Sequence, residues 1–124
     1  MEGYVNAFPR EPRLPINVMD INGEPVPIDC VVDTGFTGFL ALPSEIVFDL
    51  GLRWIQDTDL MLADGRSVAS SLYAATAIWH GASRRVPVHC ISGRPALGMS
   101  LLWRSDIEIA VRAGGRVLVS EPRG

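Results

Sequence analysis

The chain has 124 residues, 48% of them apolar and 20% charged, with a formal net charge of −3. That length suits one globular domain spanning residues 1–124, and the apolar content excludes a disordered chain. Mild acidity without a basic cluster excludes the usual electrostatic footprint of a nucleic-acid binder, and no apolar run approaches the roughly 20 residues of a membrane helix.

Met1 to Leu14 reads MEGYVNAFPREPRL. It has no positive head followed by an apolar stretch, so it is not a secretory signal, and a cytoplasmic location is expected. Residues 1–13 read as an N-terminal arm, with Arg10 and Arg13 flanking Pro12 on an exposed surface. A first strand runs from Leu14 to Ile21 and ends at Asn22-Gly23, a strong hairpin signal. The returning strand is Val26 to Val32. Its residues Val26, Ile28, Cys30 and Val32 share one parity and therefore one face.

After Asp33-Thr34-Gly35 the chain resumes with Phe39-Leu40-Ala41-Leu42. Pro43-Ser44-Glu45 opens a short helix, with Ile46, Val47 and Leu50 at helical spacing and Gly51 as its stop. Thr58 to Ala63, Asp64-Gly65 and Arg66 to Ala77 read as a second hairpin. Its returning arm ends near Trp79-His80-Gly81, and Gly81 to Arg85 read as a solvated turn. Val86 to Ile91 is the next strand. Ala96-Leu97-Gly98 precedes a single helical turn from Met99 to Trp103, and Ile107, Ile109 and Val111 alternate with polar or small residues. Gly114-Gly115 turns the chain into a last strand, Arg116 to Ser120. The expected class is mostly β with one or two short helices.

Asp33 carries the chemistry. A carboxylate at the end of an apolar strand is usually paired, hydrogen-bonded or functional. Thr34 can donate a hydrogen bond nearby, and Gly35 permits close backbone approach. Alone, the tripeptide reads first as a turn in which Asp33 caps local amides, and only the wider pattern shifts the weight toward chemistry.

The wider pattern is Val31 to Pro43, then a hairpin tipped by Asp64-Gly65, then Ala96-Leu97-Gly98-Met99-Ser100-Leu101-Leu102. It resembles the retropepsin-like, single-domain aspartic proteases over about residues 14–111. The resemblance implies a closed acid-protease barrel with a flap hairpin. It makes Asp33 the catalytic aspartate, Thr34 the brace between two active-site loops, and Gly35 the residue that lets the loop approach water and substrate. Ala63, Asp64 and Gly65 become the flap tip over a bound peptide. Leu97 and Gly98 pack beside the catalytic loop, and Val32 forms the apolar wall below it.

Peptide hydrolysis by this route needs two carboxylates sharing a proton, and the chain has one Asp-Thr-Gly. The resemblance therefore implies a homodimer acting on peptide or unfolded protein, without metal or organic cofactor because water is the nucleophile. Residues 1–13 could then also be a segment removed by self-cleavage, an interleaving arm, or disordered chain. Phe36 departs from the family pattern, as do Met99 and Ser100 after Gly98 and the acidic flap tip, which is expected to disfavour acidic substrates or alter the pH profile. The alternatives are a non-catalytic peptide-binding or interaction domain of the same fold, and an unrelated β-barrel in which Asp33 only forms a turn.

Other reactive residues read as structural. Cys30 and Cys90 are expected to be buried thiols. Neither His80 nor His89 has metal-ligand spacing, and His89 and Cys90 point to opposite faces of a strand. Asp29 reads as an outward polar residue. Trp54, Trp79 and Trp103 read as core or interface anchors.

Overall fold

The computed structural model describes residues 1–123. Its elements in chain order are β1 (Glu2–Ala7), β2 (Arg10–Met19), β3 (Pro25–Val32), β4 (Leu40–Pro43), α1 (Ser44–Leu50), β5 (Arg53–Met61), β6 (Ser67–Trp79), β7 (Ala82–Ile91), β8 (Ala96–Leu97), α2 (Met99–Leu102), β9 (Asp106–Ile109) and β10 (Arg116–Ser120). The strands run in the order β5-β6-β7-β4-β8-β3-β2-β1-β10-β9. A further bridge between Val18 of β2 and Ala77 of β6 closes β2, β3, β8, β4, β7 and β6 into a ring.

Alternation places the core. Leu14, Ile16 and Val18 of β2 and Ile28, Cys30 and Val32 of β3 point into the ring and are buried, as the shared parity requires. Leu40, Leu42, Val88, Leu97 and Leu101 complete the centre. Asp20 fixes the β2–β3 turn by accepting the amides of Asn22 and Glu24, each at 2.9 Å. Helix α1 follows the expected bounds. Gly51 adopts φ +69° as its C-terminal cap and donates its N–H to Phe48 O at 3.0 Å.

Three segments differ from the sequence expectation. Residues 1–13 do not stand apart from the sheet: β1 pairs with both β2 and β10 of its own chain. Gly3 permits this approach, since a Cβ there would lie 1.9 Å from Arg13 O. The turn expected at Gly81 to Arg85 is confined to His80-Gly81, both at positive φ, and β7 begins at Ala82. Arg84 is polar in composition yet lies over the Phe39 ring, 5.4 Å from its centroid. The alternation read through Val111 ends in β9 at Ile109, and Val111 is exposed.

Candidate active site

Strand β8 lies between β3 and β4. Val31 and Val32 face Ala96 and Leu97 in parallel register, and Leu40 and Ala41 face Leu97 and Ala96 in antiparallel register. The loop 33–39 joins β3 to β4 across the end of β8. Asp33 opens that loop, and its N–H donates to Leu97 O at 2.9 Å. Val32 and Leu97 are buried beneath the loop, whereas Asp33, Thr34 and Gly35 are exposed on it.

Gly98 holds the loop from below. A Cβ at Gly98 would sit 2.5 Å from both Gly38 O and Phe36 O, so there is no room for one. Loop carbonyls receive the amides that follow: Met99 N–H donates to Phe36 O at 2.8 Å and Ser100 N–H to Gly38 O at 3.1 Å. Gly98 N–H donates to Phe39 O at 3.0 Å, and the Ser100 hydroxyl donates to Thr37 O. With the Asp33 N–H on Leu97 O, the loop is thus tied through four carbonyls and one amide to the segment Leu97 to Ser100.

Asp33 Oδ1 accepts the Gly35 N–H at 2.9 Å, which is the local turn geometry available to any Asp at this position. Its Oδ2 has no hydrogen-bond partner among the described residues, and neither has the Thr34 hydroxyl. One carboxylate oxygen therefore faces outward on a braced loop. Asp29, also on β3, is spoken for by Tyr4 Oη at 2.7 Å and by Arg13.

Ala63, Asp64 and Gly65 form the tip of the β5–β6 hairpin, separate in the chain from the Asp33 loop. Gly65 adopts φ +86°, and Leu62 N–H donates to Arg66 O at 2.7 Å across the turn. Residues Ser71 to Trp79 of β6 pair with β7, but Ser67 to Ser70 pair only with β5. The hairpin end therefore projects about 14 Å beyond its support. The acidic tip is locally neutralised: Arg66 bonds Asp64 through its backbone N–H at 3.0 Å and its Nε at 2.7 Å. These bonds hold the Asp64 carboxyl below its ordinary range. The acidic tip expected from the sequence thus carries its own cation, Arg66, two residues away.

A cavity of about 660 Å³ lies between this hairpin (Leu60, Leu62, Val68), the start of α1 (Pro43, Glu45) and the β7–β8 turn. Its lining does not include Asp33, Thr34 or Gly35. Nor does that of a second groove of about 500 Å³ near the root of the hairpin.

Phe36, His89 and Ser70, the last unremarked in the sequence, form a cluster that ends at the loop. The Phe36 ring packs edge-on against His89, with centroids 5.9 Å apart. His89 Nδ1 lies 3.3 Å from the Ser70 hydroxyl, and Ser70 is the buried polar residue of β6. No spacing in the chain announces this cluster, because its members come from three elements. Cys30 is a buried thiol as expected, its pKa pushed up to about 12 by burial, and Cys90 is half-buried; neither forms a disulfide. Of the three tryptophans only Trp79 is in the core. Among the described residues no cluster of His, Cys, Asp and Glu could hold a metal ion, and no helix is long and apolar enough to cross a membrane.

No family model matches this chain, and no curated protein matches it. Among solved structures it is similar to a retropepsin-like aspartic protease from Rickettsia conorii. The TM-score is 0.55 at 20% identity, over 97% of this chain and 90% of that one. The fold of this chain is retropepsin-like.

Proposed function

We propose that this chain is an aspartic endopeptidase that works as a homodimer, with Asp33 from each subunit forming one catalytic pair. The observation that carries the reading is the loop itself. A retropepsin-like fold presents an exposed Asp33 at the end of β3, and a Gly98 with no space for a side chain braces the loop from below.

One carboxylate is too few for the reaction. In the proposed dimer the ionised Asp33 takes a proton from a water as general base. The protonated Asp33 of the partner subunit polarises the scissile carbonyl. Two close like charges cannot both ionise, so the pair retains one proton and titrates as a unit. The rate then follows a bell-shaped pH profile. Thr34, with its hydroxyl free in the single chain, is assigned to brace the two loops against each other. The β5–β6 hairpin is assigned as the flap, with Ala63, Asp64 and Gly65 over an extended peptide held by main-chain hydrogen bonds.

Mixing experiments test the shared site. Adding a threefold excess of Asp33→Asn chain to a fixed amount of parent, with exchange of subunits allowed, is expected to cut peptide cleavage to about one quarter, because most parent chains then sit in heterodimers. Cleavage that ignores the added variant contradicts the two-carboxylate site. A folded dimer that binds peptide and cleaves none, with or without Asp33, supports a non-catalytic binding domain instead.

A further inference from the structure

Ser70 occupies a mechanical junction. Ser71 is the first residue of β6 to pair with β7, opposite Cys90, so Ser70 is the last residue of the projecting hairpin arm. Its hydroxyl is nonetheless buried and reaches back to β7, lying 3.3 Å from Cys90 O and 3.3 Å from His89 Nδ1. A hydroxyl has one proton to give. If it goes to His89, Nδ1 accepts; if it goes to Cys90 O or to Ser71 O at 3.5 Å, the Ser70 oxygen is left to accept from a protonated Nδ1. With the hydroxyl donating to Nδ1, or with the ring proton on Nδ1, the imidazole is tied to the root of the hairpin.

The other side of the same imidazole touches the catalytic loop. Its ring meets Phe36 edge-on, and His89 Cδ2 lies 3.3 Å from where a Cβ would stand on Gly38. Phe36 is anchored in turn by its carbonyl, which accepts Met99 N–H at 2.8 Å. A displacement of the hairpin root thus reaches the loop through one ring. The side chains recorded around His89 are Ser70 from β6 and Phe36 from the loop; in strand register its neighbours are Leu72 of β6 and Ala41 of β4. None of these is charged, and the one titratable side chain of the loop is Asp33.

We propose that His89 is a positioning residue that couples the β5–β6 hairpin to the Asp33 loop, with Ser70 fixing the ring and Phe36 receiving its contact. The proposal rests on the protease reading for its kinetic consequence but not for its structural one. Burial lowers the pKa of His89, so the ring is neutral at neutral pH and its two nitrogens are distinct, one donor and one acceptor.

The test separates the two readings. Amide exchange at Phe36, Met99 and Ser100 is measured in the parent, Ser70→Ala, Ser70→Thr and His89→Phe. Loss of the Ser70 hydroxyl is expected to speed exchange at these loop amides about fivefold, the loss of roughly one hydrogen bond, and threonine is expected to restore it. His89→Phe keeps a ring against Phe36 but severs the tie to Ser70, and is expected to match Ser70→Ala. In peptide cleavage Ser70→Ala and His89→Phe lower kcat about fivefold while KM holds within twofold, and Ser70→Thr keeps the parent kcat, the pattern of a misplaced catalytic loop rather than lost binding. Loop exchange unchanged in folded Ser70→Ala and His89→Phe overturns the coupling. So does faster exchange spread evenly over the whole sheet, or one that threonine does not restore. A parent without any cleavage overturns the protease reading while the exchange result still decides the coupling.

Discussion

At the scale of single residues, the loop depends on what Gly98 lacks. Its backbone is extended at φ −117°, so conformation alone would admit any residue. The requirement is one of space: two loop carbonyls stand 2.5 Å from the missing Cβ. Gly98→Ala must push the loop off the segment that holds it, and is expected to destabilise the protein by about 2–3 kcal/mol, an overpacking cost. Equilibrium denaturation of the variant checks this. Here the sequence was legible through resemblance, since Leu97-Gly98 was marked as packing beside the Asp33 loop. The Ser70–His89–Phe36 cluster was not legible. Its members lie 19 and 53 positions apart, and no local rule links residues that only the ring of strands brings together.

At the scale of elements, hairpins were read well where a glycine turn announced them and poorly where side chains disguised a strand. Asn22-Gly23 and Asp64-Gly65 both mark real turns. Arg84-Arg85 resembled a solvated loop because the pattern of polar residues hid a strand whose long side chains lie across the surface, as Arg84 does over Phe39. The N-terminal segment misled for a related reason. Phe8-Pro9, Arg10 and Pro12 punctuate it like an arm, yet Glu11 and Arg13 are paired. Glu11 accepts from Arg13 at 2.9 Å and from Arg94 Nη2 at 2.7 Å, joining β2 to the turn before β8.

Burial works to raise the Glu11 pKa, but hydrogen bonds from Arg13 and then Arg94 outweigh it and hold the carboxyl below its ordinary 4.5. A depressed carboxyl pKa gives stability that is present above the unfolded value and is lost as pH falls through the folded one. Thermal unfolding of the parent and Glu11→Gln is therefore expected to differ most near neutral pH. The gap should narrow as pH drops below 4.5. A gap that widens on acidification contradicts the role given to this cluster.

At the scale of the whole molecule, the mostly β class and the order of parts were legible because turn residues punctuate the chain and the apolar parity of β3 fixes its inner face. Ring closure was not legible from periodicity, since it depends on a single bridge between Val18 and Ala77. It came through the resemblance, and the similarity in fold over 97% of the chain bears that out. The pairing of β1 with β10 within one chain also bears on assembly. Within the single chain these strands are hydrogen-bonded to each other, so the proposed dimer needs no exchange of β1 to complete its sheet.

The central claim is that Asp33 cleaves peptides. Its most direct test is digestion of a diverse peptide mixture from pH 4 to 8 by the parent and by Asp33→Asn, read by mass spectrometry. The parent is expected to make cuts that rise and fall with pH, and the folded variant to lose about 10²–10⁴-fold, the span general acid–base catalysis supplies. Equal cutting by both chains would contradict it.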